Sequence, residues 1–241
     1  PLFYKVMLQE ARFNVTLALC CFVFGGRASS VSEIKALCSR YEIASPNSVI
    51  AIITLLKTTH RIRTWRSQED RRKVLIGPTP KGIDELKKYM SGAFAPLSVL
   101  FNHEVHVDLL DDDTLRHHFF WRAAEFLFQG VTFKRMLPEV SLFIEKDGGR
   151  MIMLYLYLQA SEAINSRGAI VPYSSSVLAK TFFVSRIHVS RIIKAAEEAG
   201  YLQESDNGFL TLHAPFIELV ENYCSLYFAY ITCYLNLDPQ K

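Results

Sequence analysis

Several features that mark enzymes, disulfide-stabilised domains and zinc ribbons are missing from these 241 residues. Five cysteines occur, an odd number without Cys-x-x-Cys spacing, which argues against a disulfide framework and against a structural zinc site. No glycine-rich phosphate loop, Gly-x-Ser-x-Gly elbow or Cys/His nucleophile pattern is present. We therefore expect no enzymatic activity, no catalytic residues and no cofactor.

Long apolar runs are also scarce. The run Val15–Phe24 is too short to cross a bilayer, and the longer helical stretch Pro215–Leu237 carries Glu218, Glu221 and Asn222. We expect a cytoplasmic protein without membrane contact. The cysteines lie in apolar helical patterns and are predicted to be buried, reduced thiols.

The net charge is only +3, but the charges are unevenly distributed. Six cations lie between residues 61 and 73, where the only acidic residues are Glu69 and Asp70. The segment 104–113, in contrast, is acidic. The six cations of the basic cluster are Arg61, Arg63, Arg66, Arg71, Arg72 and Lys73. A basic patch beside an acidic connector favours local contact with phosphates over general affinity for polyanions.

The basic cluster follows two short helical patterns, Val31–Tyr41 and Ser45–Thr59. Within the cluster, a charged turn at 70–72 precedes an apolar strand at 73–76, and a new helix is predicted just after Gly82. Helix, turn, helix and basic hairpin are the elements of a winged helix-turn-helix. Such a module places one helix in the DNA major groove and a charged ribbon beside it.

The turn Asp70-Arg71-Arg72, followed by Thr79 and Gly82, resembles the wing and following helix start of the MarR family of bacterial transcription regulators. The resemblance covers about residues 32–89. It implies a DNA-binding regulator in which one of Arg71 and Arg72 points outward while Asp70 pairs with the other. Family members act as two-fold dimers, and many bind small phenolic ligands.

The chain departs from the family pattern at two places. Gly77-Pro78 stands where an apolar strand end is usual, and the second helix, 46–59, lacks an arginine that many relatives carry. This helix therefore offers little for reading bases, and we expect the first module to hold DNA mostly through its wing.

A second copy of the module is predicted near the C-terminus. A short helix at 174–180 precedes a helix at 187–199 with Ser185 as N-cap and Gly200 as C-cap. A hairpin follows at 203–212, with Asp206-Asn207-Gly208 at its centre. Four pairs support a duplication with a constant offset of 141 residues: Leu37 with Leu178, Ile43 with Val184, Ile52 with Ile193, and His60 with Tyr201.

These patterns predict a mainly α fold with small β-hairpin wings, in which tandem winged helix-turn-helix domains are joined by a helical region. The predicted domains are residues 1–93, a helical connector at 94–150, and residues 151–241 with a closing helix. Two modules in one chain would form an intrachain pseudo-dimer, whose half-sites lie about 34 Å apart on double-stranded DNA. The chain itself is expected to be a monomer or a homodimer.

The candidate DNA contacts lie on the second helix of each module and on the first hairpin. Arg186 and Arg191 can each bridge the acceptor pair of guanine, which contributes about 1–3 kcal/mol of discrimination. The stripe expected to face the core comprises Ile187, Ile192, Ala195, Ala196 and Ala199. The full set of candidates is Asn47, Ser48, Arg63, Arg66, Arg71, Arg72, Ser185, Arg186, His188, Arg191 and Lys194, with Val189 and Ser190 beside them.

The leading interpretation is a sequence-specific transcription regulator; the alternative is a tandem winged-helix adaptor that binds protein and not DNA. A third interpretation adds sensing, either by the thiols or by a small aromatic effector held among the rings of the connector. Those rings are Phe119, Phe120, Trp121, Phe126, Phe128 and Phe133. A metal site at His103, His106 and Asp108 is disfavoured because the spacing lacks the helical HExxH pattern. The operator and the regulated genes stay open.

Overall fold

A computed structural model describes residues 2–26, 30–101, 110–162, 164–165, 168–205 and 207–236. These residues are mainly helical with two small antiparallel sheets, which confirms the expected mainly α class with small hairpins. Among them, no helix combines the length and apolar character needed to cross a bilayer.

The chain forms two compact units. Unit N comprises Asn14–Thr132 and Tyr227–Lys241, and unit C comprises Pro1–Phe13 and Phe133–Leu226. The predicted domain boundaries, after residues 93 and 150, separate the two repeated sequence patterns, whereas the two units are defined by how the chain packs. The predicted division stays a prediction.

The described helices and strands are as follows, in chain order. The helices are α1 (Leu2–Met7), α2 (Glu10–Phe24), α3 (Val31–Arg40), α4 (Pro46–Thr58), α5 (Pro80–Phe101), α6 (Asp113–Phe128), α7 (Phe133–Met136), α8 (Ser141–Ile144), α9 (Gly149–Ala160), α10 (Ser175–Phe182), α11 (Arg186–Glu198) and α12 (Ala214–Leu235). The strands are β1 (Ile62–Arg66), β2 (Val74–Pro78), β3 (Gly168–Pro172), β4 (Leu202–Ser205) and β5 (Phe209–His213).

Serine caps set where α3 and α4 begin. Ser30 forms a capping box with Glu33 at the start of α3, and the Ser45 hydroxyl accepts a hydrogen bond from the Ser48 amide at the start of α4. Both helices end one residue earlier than predicted, because Tyr41 and Thr59 are C-caps.

Hairpin 1, formed by β1 and β2, joins the second helix to α5. Its register runs from Ile62 opposite Pro78 to Arg66 opposite Val74, so Gly77-Pro78 is part of the strand. The following Thr79 hydroxyl donates to the His60 carbonyl at 2.7 Å and accepts from the Gly82 amide at 3.1 Å. A Cβ on Gly82 would lie 2.1 Å from the Arg61 carbonyl oxygen, so only glycine fits at the start of α5.

Unit C contains the second helix pair and a three-stranded sheet in the order β3-β5-β4. Hairpin 2, formed by β4 and β5, agrees with the hairpin predicted at 203–212, although Asp206 lies outside the described residues. Strand β3 was not predicted; it pairs antiparallel with β5, from Gly168 opposite His213 to Pro172 opposite Phe209. Pro172 fits there because β3 is an edge strand.

The two helix pairs correspond residue by residue, but the offset is not constant. Up to the turn it is 141: the Cys38 carbonyl accepts from the Ile43 amide as the Ala179 carbonyl accepts from the Val184 amide. This agrees with the predicted pairs Leu37–Leu178 and Ile43–Val184.

Beyond the turn the offset is 140, because Ala44 is an extra residue before the N-cap of α4. Both N-caps are serines, Ser45 and Ser185. The buried residues then match one to one: Val49, Ile52, Ile53 and Leu56 in α4, and Val189, Ile192, Ile193 and Ala196 in α11. The predicted pairs Ile52–Ile193 and His60–Tyr201 are therefore wrong by one residue; His60 matches Gly200, and both have φ near +60° to +80° (58° and 77°).

Each unit has its own core. In unit N, Phe119 packs edge-on against Phe94, Phe120 and Tyr234.

In unit C, Arg150 and Glu10 form a buried ion pair at 2.8 Å, and both side chains are 4% exposed. The Arg150 guanidinium also lies against the rings of Phe13, Phe133 and Tyr223, which replace part of its hydration with π-faces.

Candidate nucleic-acid interface

The exposed face of α11 carries a row of residues that we call the α11 ridge: Ile187, Ser190, Arg191 and Lys194. These positions recur at helical spacing opposite the buried Val189, Ile192, Ile193 and Ala196. The predicted inward stripe is thus corrected. Ile187 is 66% exposed and Ala199 is an exposed C-cap, whereas Val189 and Ile193 are buried. Val189 cannot reach a base edge.

His188 is turned toward protein. Its Nε2 lies 2.8 Å from the carbonyl oxygen of Asp147, and the side chain is half-buried. One ring nitrogen is thus engaged with the turn before α9, and the contact of His188 with DNA stays a prediction. Ser185 is exposed and serves as N-cap, accepting from the His188 amide at 3.1 Å.

The three cations of α11 differ in their surroundings. Arg191 is exposed and makes no ion pair with any described residue. Lys194 lies 3.9 Å from Glu198, and both side chains are more than two-thirds exposed, so this pair is weak. Arg186 lies at the flank of the helix, in a shallow polar cleft shared with Glu197, Glu204 and the serines that begin α10.

Helix α4 presents a different face at the matching positions. Asn47 and Ser48, which were predicted to contact DNA, are exposed. The Ser48 hydroxyl lies 2.9 Å from that of Ser45. Where the α11 ridge has Arg191 and Lys194, α4 has Ala51 and Thr54. Helix α4 thus lacks guanidinium groups on its exposed face. This agrees with the inference from the sequence that the helix offers little for base recognition.

The cations of hairpin 1 separate into paired and exposed groups. Arg61 is paired with Glu85 through two hydrogen bonds of 2.5 and 2.7 Å, and Lys73 lies 3.2 Å from Glu33. The exposed group comprises Arg63, Arg66, Arg71 and Arg72.

Within the exposed group, Arg63 lies at the base of the hairpin, opposite Gly77. One detail at the turn corrects the sequence interpretation. The Asp70 carboxylate accepts from the backbone amide of Arg72 at 3.0 Å and not from either neighbouring guanidinium. Arg66 donates to the Arg71 carbonyl at 2.9 Å, which bends its side chain along the turn.

Hairpin 2 has the opposite character. Residues 202–213 contain no lysine or arginine, and Gln203, Glu204 and Ser205 are exposed. Burial, with the nearby Glu204 carboxylate, raises the pKa of Tyr173 to about 12, so this phenol beside the hairpin stays neutral. Exposed arginines therefore lie on hairpin 1 and not on α4, but on α11 and not on hairpin 2.

Sequence reasoning missed Trp65. The side chain is 43% exposed on the outer face of hairpin 1, and the Arg63 guanidinium lies 5.2 Å from its ring centroid. The alternation in β1 contained the signal, because residues two apart on a strand share a face. Arg63 and Trp65 are such a pair.

The predictions on the cysteines, on the aromatic residues of the connector and on the candidate metal site compare differently with the structure. Cys38 is buried, and burial raises its pKa to about 11, whereas Cys233 is exposed, which corrects the expectation that all five are buried. Trp121 is exposed, unlike the buried Phe119 and Phe120 beside it. The disfavoured metal site at 103–108 lies outside the described residues, and the aromatic effector stays a prediction.

Compared with models of protein families and with curated proteins, the chain matches none. The resemblance to the MarR family therefore stays a prediction that rests on its residues.

Proposed function

We propose that this chain is a sequence-specific double-stranded DNA-binding transcription regulator with two winged helix-turn-helix modules. Module one is α3, α4, hairpin 1 and α5; module two is α10, α11, hairpin 2 and α12. In each, a serine-capped second helix exposes one face and a hairpin follows it. This is the element order that docks a helix in a major groove.

The observation that carries the proposal is the exposed guanidinium of Arg191 on the α11 ridge, which forms no ion pair with any described residue. The opposite face of this helix is fully buried. Three cations lie on the ridge or at its flank: Arg186, Arg191 and Lys194. A long cationic side chain on such a face can bridge the O6 and N7 acceptors of guanine, while Ser190 can bind phosphate.

Hairpin 1 supplies the complementary contact. Arg71 and Arg72 are exposed at its turn and make no ion pair with a described residue. Guanidinium groups on a narrow ribbon can lie along the DNA backbone or enter a minor groove. They would add affinity for every sequence, whereas α11 would supply base preference.

The two modules would act as an intrachain pseudo-dimer with unequal halves. Because α4 offers Ala51 and Thr54 where α11 offers Arg191 and Lys194, the two half-sites need not match. Selection of bound fragments from a random duplex library tests this directly. We expect one strongly specified half-site and a second, weakly specified one about 34 Å away; a site of a single half would refute the pseudo-dimer.

An adaptor that binds protein is the second candidate, and exposed apolar side chains of unit C favour it. Val177, Phe183 and Ile187 are each at least half exposed on α10, the turn and α11. A gel-shift titration against random duplexes separates the candidates, because phosphate neutralisation makes DNA affinity fall steeply with salt. An adaptor gives no salt-sensitive shift.

A further inference from the structure

The outer face of hairpin 1 holds an aromatic ring that does not belong to any core. Cross-strand pairing places Arg63 opposite Gly77 and Trp65 opposite Leu75, so these four residues share one face. Ile76, on the other face, is 4% exposed and packs inward. Trp65 therefore stands on the solvent side of the hairpin.

The indole ring of Trp65 packs against Gly77. A Cβ on Gly77 would lie 3.0 and 3.2 Å from the Cη2 and Cζ3 atoms of Trp65. The indole thus lies across the glycine backbone, which explains why Gly77 is buried although it has no side chain. A ring held against backbone in this way is positioned without being covered.

One arginine lies against the ring, and three more lie elsewhere on the same hairpin. The Arg63 guanidinium is 5.2 Å from the ring centroid, within range of a cation–π contact. Arg66 alternates onto the other face of β1, and Arg71 and Arg72 lie in the turn. Glu85 and Glu33 neutralise Arg61 and Lys73, but no described carboxylate forms an ion pair with these four arginines. An exposed indole beside one guanidinium, on a hairpin that carries three more, is matched to a ligand that is both planar and anionic.

We propose that Trp65 and Arg63 form a stacking platform for an unpaired base of a single-stranded nucleic acid. Inside a duplex the bases are stacked on each other and present only their edges, so away from the duplex ends a ring face can engage only a base that has left the stack. Neighbouring arginines would hold the flanking phosphates, which is how single strands are bound without sequence preference. The platform uses the same hairpin as the proposed duplex contact but does not depend on it.

The intrinsic fluorescence of the chain allows a direct test. Only two tryptophans occur, so a Trp121→Phe variant reports on Trp65 alone. Thymidine and uridine oligonucleotides of about 12 nucleotides, within the site sizes known for single strands, are titrated in parallel with a blunt duplex of equal length. We expect saturable quenching of Trp65 by at least one of the single strands, and the two sugars show whether DNA or RNA is preferred.

A matched pair of variants separates stacking from charge. Trp65→Leu removes the ring and Trp65→Phe keeps one, while the arginines remain in both. Measured by anisotropy of a labelled strand, Trp65→Leu binds about tenfold more weakly and Trp65→Phe stays close to the parent, since losing one stacked base costs about this much.

Failures of this inference and of the proposed function are distinguishable. If no single strand quenches Trp65, or if Trp65→Leu binds single strands like the parent, the platform is wrong, whatever the duplex does. The duplex proposal stands if the duplex binds. Single-strand binding that depends on Trp65, without duplex binding, supports the platform and refutes the regulator. If no nucleic acid binds at low salt, both are wrong.

Discussion

Ala51 and Arg191 occupy the same position on their helices, each the sixth residue after a serine N-cap and each exposed. The two helices bury matching residues, so this difference lies on the surface and not in the packing. One backbone arrangement thus presents a methyl group in one copy and a guanidinium in the other, and the predictions on binding follow from that asymmetry.

Arg191→Ala gives α11 the residue that α4 already has. We expect it to lower affinity for the selected site by about 1–3 kcal/mol while leaving affinity for random duplexes nearly unchanged, because a bidentate base contact is lost. Competition gel shifts with selected and random duplexes measure the ratio. Thr54→Ala, at the position matching Lys194, is the control and should change neither affinity.

Arg71→Ala and Arg72→Ala should weaken binding to all sequences alike. Each removes a phosphate contact, so the slope of log K against log salt should become shallower by about one unit per arginine. Lys88→Ala removes an exposed cation of α5 outside the hairpin and should leave the slope unchanged. Equal slopes in the parent and both hairpin variants would place the phosphate contacts elsewhere.

Two glycines of α5 should respond to alanine with opposite signs. Gly82→Ala places a Cβ 2.1 Å from the Arg61 carbonyl oxygen, so the hairpin must shift, and we expect a loss of about 1–3 kcal/mol in the free energy of unfolding. A Cβ on Gly92 meets nothing within 4 Å, so Gly92→Ala should stabilise the protein by about 0.5–1 kcal/mol. Urea unfolding of both variants tests the contrast.

The buried ion pair of unit C should be costly to break and cheaper to replace. Glu10→Ala leaves the Arg150 guanidinium buried without its carboxylate, and we expect a loss of about 3–5 kcal/mol in the free energy of unfolding. The double variant Glu10→Leu, Arg150→Met removes both charges and should lose much less. Chemical denaturation that finds the double variant as unstable as Glu10→Ala would contradict this account.

The thiols are expected to react in the order of their exposure. Since burial raises the pKa of Cys38 to about 11, its thiolate, which is the reactive form, is scarce at pH 8 and becomes tenfold more abundant with each pH unit up to that value. Alkylation at pH 8 followed by mass spectrometry should find the exposed Cys233 modified first. Early modification of Cys38, with a change in DNA affinity, would instead favour thiol sensing.

Local signals were sufficient for the helices that matter to the site. Ser45, Pro46 and Ser185 mark their own helix starts, because a cap is a contact between residues three apart. The hairpins could be predicted for the same reason. Strand β3 could not, since Gly168–Pro172 becomes a strand only by pairing with β5, some forty residues later.

The side-chain partners were the least predictable part of the site. Arg61 and Arg63 look alike in the sequence, but only the start of α5 brings Glu85 to Arg61. His188 faces Asp147 because of how α11 packs on the turn before α9, which no local pattern encodes. The Trp65–Gly77 contact joins two strands, whereas the shared face of Arg63 and Trp65 follows from alternation within β1 alone.

The most direct test of the central claim is an equilibrium titration of random duplex DNA over a range of salt concentrations. The parent chain is compared with a variant in which Arg71, Arg72, Arg186 and Arg191 are all changed to alanine. If the exposed cations of both modules hold DNA, the parent binds with an affinity that falls steeply as salt rises, and the variant binds much more weakly and with a clearly shallower slope. Identical binding by the two proteins at low salt, or no salt-sensitive binding by the parent, would contradict the account.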